Sequence, residues 1–109
     1  RRKAFIEVKG VTLEADNVAR FPDAPTARGV KHVEELIRCM EDGYEAYLLL
    51  VIQMKGVTRF EPNWDTHREF GETLQKAQKA GVHILAYDCL VESDRMEIQD
   101  PVPVRLERD

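Results

Sequence analysis

"YEAYLLLVIQ", residues 44–53, contains an unbroken apolar run from Ala46 to Ile52. The run falls short of the ~18 apolar residues that a membrane helix needs. It also lacks the apolar and polar alternation of a strand with one wet face. It reads as a central strand, buried in the middle of a sheet.

The flanking segments fit that reading. On the N-terminal side, Thr26 is a helix N-cap after Pro25, and Gly43 is a C′ stop, so the spacing predicts a helix to about Asp42. Val30, Val33, Leu36, Ile37 and Met40 share one stripe that should face the sheet. Arg28, His32, Glu35 and Cys39 form a second stripe on its flank. Before the helix, residues 4–13 alternate with the period of a strand. The Ala4, Ile6 and Val8 side is expected to be core, with Glu7 and Lys9 pointing away. Residues 14–25, broken by Asp16-Asn17 and two prolines, read as a loop.

On the C-terminal side, "MKGVTRFEPNW", residues 54–64, reads as irregular, with Trp64 and Phe60 around Pro62 as a small core pinning it. A second helix is expected from about Asp65 or Thr66, with Phe70, Leu74 and Ala77 inward and a stop at Gly81. Residues 82–92 form the next strand, "RMEIQ" a short edge strand and "PVPVRL" a tail. The order strand, helix, strand, helix, strand, strand favours parallel neighbours joined by right-handed crossovers. The predicted class is α/β, a mixed sheet flanked by helices.

The chain of 109 residues has room for one core. The initial Arg-Arg-Lys leads directly into a strand without a methionine, which leads us to expect a fragment of a longer protein. Cys39 and Cys89 lie in periodic segments and are expected to be free thiols of a reducing compartment. With no signal-peptide pattern, the expected location is the cytoplasm, with no membrane partner. Net charge is −4 overall, which argues against a nucleic-acid partner, yet residues 1–32 hold 7 Lys/Arg against 4 Asp/Glu and residues 33–109 hold 9 against 16. The positive section is the one that carries the candidate chemistry.

That chemistry starts at "FIEVKG", residues 5–10. Glu7 and Lys9, two apart on one strand, project to one face with Cβ atoms roughly 6–7 Å apart. A carboxylate can hold a hard divalent cation while an ammonium steadies a water for phosphodiester hydrolysis. The same triplet is also an ordinary ion pair across a pleat. Asp23 in "FPDAP" offers a second acid but is equally a turn residue. Arg28 could reach a phosphate, and His32 could orient a ligand or water, or both could be a solvated helix flank. His67 and His83 have no partner at metal-ligand spacing, and there is no glycine-rich phosphate loop, Cys-X-X-Cys or Gly-X-Ser-X-Gly.

Taken in order, "FIEVKGVTL", "FPDAPTARGVKHVEEL", "AYLLLVIQ" with "RFEPN", "AGVHILAYDCLV" and "PVPVRL" resemble the C-terminal domain of the sugar fermentation stimulation protein A family. The resemblance implies a restriction-endonuclease-like, PD-(D/E)XK core lacking its first strand. Residues 1–109 would be the C-terminal nuclease-like domain of a chain that also has an N-terminal OB-like domain. It further implies a DNA-binding protein without sequence preference that regulates sugar (maltose) metabolism. The alternatives are an Mg- or Mn-dependent nuclease in the intact protein, or a structural or interaction module.

In the nuclease pattern Glu7 matches the second-motif acid and Lys9 the motif lysine, with the metal at Glu7 and Val8. The first-motif aspartate precedes residue 1, whereas Asp23 follows Lys9 and is not equated with it. On this reading the chain as it stands binds Mg²⁺ poorly and cleaves nothing. Lys9, Arg20, Arg28 and Lys31 are the expected contacts to DNA phosphates, with Asp23 and His32 as further candidate site residues. A homodimer is the other expected partner.

Overall fold

The computed structural model describes residues 3–108. In chain order the elements are β1 (Ala4–Val11), β2 (Leu13–Ala15), β3 (Val18–Phe21), α1 (Ala27–Glu41), β4 (Glu45–Ile52), β5 (Arg59–Pro62), α2 (Arg68–Lys79), β6 (His83–Glu92) and β7 (Arg95–Val102). A four-stranded sheet runs β1-β4-β6-β7, and a smaller one runs β2-β3-β5. β4 is parallel to β1 on one edge and to β6 on the other, as its apolar run requires. β7 returns antiparallel to β6 and makes the sheet mixed.

Both helices pack on one face of the large sheet. Val30, Val33 and Leu36 of α1, and Phe70, Leu74 and Ala77 of α2, are buried in one cluster with Leu48, Leu50 and Ile52 of β4. The termini of α1 fall where the cap chemistry puts them. The Thr26 hydroxyl accepts from Gly29 N at 2.9 Å, and Gly43 takes φ +89°, the left-handed value that suits glycine. α2 begins later than its pattern indicates, at Arg68, after a turn in which Thr66 N and His67 N both donate to the Asn63 carbonyl. Among the described residues no helix is long and apolar enough to cross a membrane. Both cysteines are free.

Several expectations need correction. The stretch read as a loop, residues 14–25, contains the β2-β3 hairpin. Asp16 and Asn17 take φ values of 54° and 65°, the pair of positive φ values that a tight two-residue hairpin turn uses. Likewise, the stretch read as irregular, residues 54–64, contains β5, which pairs parallel with β3. Strands of three and four residues are too short to display a period of two. β7 is eight residues long rather than a short edge. The tail that follows is structural: Phe60 N donates to the Pro103 carbonyl and Arg105 N to the Phe60 carbonyl, joining the end of the chain to the small sheet.

The faces of β1 are also reversed. Ile6 and Val8 are 63% and 54% exposed, whereas Val11, which shares its parity with Glu7 and Lys9, is fully buried under α1. Alternation assigns side chains to two faces without saying which face the helices cover.

Helix α2 carries Gly71 against the Trp64 ring, where an added Cβ would lie 2.6 Å from ring carbon. Gly71→Ala is expected to lower stability by ~1–2 kcal/mol in urea unfolding, because crowding outweighs the gain in helix propensity of ~1 kcal/mol. In a Trp64→Leu background the same change should become neutral or stabilising.

Candidate functional site

β1 is a border strand, and its Glu7 and Lys9 side chains emerge beneath the flank of α1. There they meet His32. Lys9 Nζ lies 2.7 Å from His32 Nδ1 and 3.2 Å from Glu7 Oε2, and Glu7 Oε2 lies 3.2 Å from His32 Nδ1. The Lys9 side chain is only 16% exposed, so its charge is held by these two acceptors. An ammonium has donors only, so in the contact with Lys9 it is His32 Nδ1 that accepts. The hydrogen bond to His32 and the ion pair with Glu7 together hold the ammonium in place. The spacing of Glu7 and Lys9 was legible in the strand pattern. The histidine completing the trio comes from the second stripe of α1.

The N-terminal end of α1 supplies positive potential. It has no acidic residue in its first turn, and the exposed Arg28 and Lys31 stand on its first turns. Among the described residues neither has an ion-pair partner. Thr26 N donates to His67 Nδ1 at 3.2 Å, tying the start of α1 to the start of α2 and fixing the helix end in place. His67 thus has a structural contact that the sequence pattern did not reveal.

Other candidates are placed differently. Asp23 is exposed and, with Arg20, lines a cleft of about 60 Å³ beside Gly10 and Thr12, beyond the Glu7 trio along β1. Arg20 is occupied: its Nε and Nη2 both donate to Glu61 Oε1, at 3.2 and 3.0 Å. Arg59 Nε donates to the other oxygen of Glu61 at 2.9 Å. Val8 points to the opposite face of β1 from Glu7, with its side chain largely in solvent. No group of three His, Cys, Asp or Glu side chains able to hold a metal ion comes together among the described residues. Glu7 offers one carboxylate, already paired with Lys9, and a hard cation needs six or more oxygens. The residues present do not by themselves complete a divalent-metal site.

Two ionic clusters were missed. Glu61 sits between Arg20 and Arg59. Burial pushes its carboxyl up, but the hydrogen bonds from Arg59 and Arg20 outweigh this and hold it below the ordinary carboxylate range. The alternation of "TRFEP" is its only sequence trace. Lys55 bridges Asp88 and Asp100 at 3.1 and 2.9 Å, and their hydrogen bonds, Asp100's first, hold its ammonium above the usual lysine value. Residues so far apart leave no local signal. Neighbouring Cys89 is fully buried, and burial together with the Asp88 charge pushes its thiol up, which makes it inert.

With this geometry in view, the chain can be compared with known proteins. It matches the sugar fermentation stimulation protein RE domain over residues 1–95. The chain belongs to this family. It is 59% identical over 105 residues to a sugar fermentation stimulation protein homolog of Clostridium beijerinckii, covering 96% of this chain and 46% of that protein. A homolog of Desulfitobacterium hafniense is 56% identical over 106 residues, covering 97% and 46%. Among solved structures, SfsA of Pyrococcus furiosus in complex with Ca²⁺ is similar with a TM-score of 0.87 and 30% identity, over 94% of this chain and 45% of that one. The chain therefore spans about half the length of the relatives it matches. The fold agreement supports the nuclease-like mixed sheet expected from the sequence.

Because Glu61 has a lowered folded value, its ion pairs stabilise the protein fully above the ordinary carboxylate value and are lost as pH falls through the lowered one. Glu61→Gln is expected to cost ~1 kcal/mol at pH 7. Urea midpoints of the two proteins should converge as pH drops below about 4.5, the ordinary value; a gap that persists in acid would show that packing, not charge, carries the effect.

Proposed function

We propose that this chain is the phosphate-contacting part of a DNA-binding protein that does not read base sequence. The observation that carries the reading is the Lys9 ammonium, held between Glu7 and His32 beneath a helix whose first turns bear Arg28 and Lys31. Lys9, Arg28 and Lys31 supply cations toward one region, and α1 adds the positive end of its dipole. Contacts of this kind fix a backbone without discriminating bases. Arg20 contributes less, because Glu61 already occupies its guanidinium. A cytoplasmic regulator of sugar (maltose) use is the physiological role we attach to this binding, in keeping with the family's name.

The test is fluorescence anisotropy with two unrelated duplexes over a salt series. Binding should be equal for both sequences, and Arg28→Ala with Lys31→Ala should weaken it several-fold at low salt and reduce the salt slope by about 2. Sequence-selective binding, or an unchanged slope in the double variant, would overturn this reading.

A second reading, metal-dependent DNA cleavage in the full-length protein, is favoured by the Glu7 to Lys9 contact and by the Pyrococcus furiosus relative's having been solved in complex with Ca²⁺. The metal would be Mg²⁺ or Mn²⁺ and would polarise the phosphate, with Glu7 as one ligand; Lys9 would steady the attacking water. A full-length chimaera in which residues 1–109 replace the matched half of the Clostridium beijerinckii relative provides the assay. On this reading it nicks supercoiled plasmid in Mn²⁺, and Glu7→Gln abolishes nicking. Nicking that survives the substitution would remove Glu7 from the chemistry.

A further inference from the structure

The backbone N–H of an N-cap residue is often taken by a Glu or Gln three residues on in the same helix. In α1 that position is Gly29, where a Cβ would lie 2.8 Å from Thr26 Cγ2 and 3.3 Å from Phe70 Cε1. A longer side chain there would displace the Thr26 side chain that caps Gly29 N. The acceptor for Thr26 N comes from α2 instead: His67 Nδ1, at 3.2 Å. His67 is itself the N-cap residue of α2, yet its side chain makes no capping bond there. The ring is given to the neighbouring helix, and the side chain is only 15% exposed. Asn63 holds the other end of the same connecting segment, its N donating to the Phe21 carbonyl and its Nδ2 to the Pro22 carbonyl, both at 2.9 Å. The start of α1 is therefore fixed from the turn that leads into α2.

A glutamate at the third position would satisfy the same amide, but its carboxylate would cancel part of the positive potential that the first turn presents. As it stands, α1 has no acid in its first turn, and the imidazole brings none. The other ring nitrogen of His67 faces Glu69 Oε1 at 3.7 Å, so the ring separates that carboxylate from the Thr26 amide. We infer that His67 is a positioning residue for the phosphate contact: a cap lent by α2 that fixes the first turn of α1, and with it Arg28 and Lys31, while bringing no negative charge to that end. The inference rests on the DNA-binding reading above. It adds a requirement at position 67, an acceptor that is not an anion.

Three substitutions separate the cap from the charge. In His67→Asn the Oδ1 hangs from Cγ as Nδ1 does in histidine and can accept from Thr26 N; His67→Asp offers the same acceptor with a charge, and His67→Ala offers none. Each variant of the 109-residue chain is measured at about pH 8, the upper end of the range over which histidines change charge. The readouts are solvent exchange of the Thr26 amide by NMR and duplex anisotropy at low salt. Thr26 exchange should be about fivefold or more faster in His67→Ala and close to wild type in His67→Asn and His67→Asp. Duplex affinity should fall about threefold or more in His67→Ala and His67→Asp but not in His67→Asn. Equal affinities in His67→Asp and His67→Asn would overturn the inference, as would a Thr26 amide that exchanges equally fast in all four proteins. Failure of the DNA-binding reading shows differently: the wild-type chain then binds duplex no more tightly than Arg28→Ala with Lys31→Ala, and the inference falls with it.

Discussion

Strand β4 has parallel neighbours on both edges and two helices over one face, and everything else in the fold is arranged around that burial. Leu48, Leu50 and Ile52 are fully buried together with Phe70, Leu74 and Val33. At about 1.5–3 kcal/mol for each large apolar side chain removed from water, this set is the largest favourable contribution available to so short a chain. It also dictates position elsewhere. Once α1 lies across β4, its flank must overhang the neighbouring β1, and the residues beneath that flank are those sharing parity with Val11. Glu7 and Lys9 are therefore brought under His32 by the packing of the core, not by any attraction among the three.

This dependence explains which parts of the molecule could be read from the sequence. Long periodic segments were legible: the apolar run of β4, the stripe from Val30 to Met40, and the inner face of α2 all depend on spacing over two or more turns or on unbroken hydrophobicity. The small sheet was not, because β2, β3 and β5 are three or four residues long and owe their pairing to one another. Asp16-Asn17 was the one local clue, since these residue types tolerate positive φ. The orientation of β1 was illegible in principle. Ala4, Ile6 and Val8 are as apolar as a core face should be, and only knowledge of what covers the sheet identifies them as the exposed side. The candidate site divided the same way. Glu7, Lys9 and the helical pairing of Arg28 with His32 followed from spacing, but the contact between strand and helix needed the fold. Asp23 and Arg20 were drawn in by residue type and are placed elsewhere, Arg20 by a glutamate in a segment that showed no strand pattern.

The energetics of the Glu7, Lys9 and His32 trio bear on its role. Holding a lysine that is only 16% exposed costs desolvation, which a single carboxylate at 3.2 Å and an imidazole nitrogen at 2.7 Å offset without large surplus. An apolar side chain at position 9 would pack beneath α1 at lower cost. The arrangement is thus a poor device for stability and a good one for presentation. The ammonium is held at the border of the sheet by its hydrogen bond to His32 and its ion pair with Glu7.

An overall charge of −4 stands at odds with a polyanionic partner, but range resolves the conflict. Exposed charges are screened over ~8–10 Å at physiological salt, so the acids of the C-terminal two-thirds act weakly on a ligand seated at the start of α1. On the proposed reading a phosphate would meet Arg28, Lys31 and Lys9 there, with the helix N-terminal end behind them and no acid in the first turn. The Glu7 carboxylate beneath the helix is paired with the Lys9 ammonium through its Oε2. Local surplus at contact distance would therefore govern the proposed binding, while the distant acids would set how steeply affinity decays as the molecules separate. On that reading, a patch of a few cations on an acidic domain would make weak, salt-sensitive contacts.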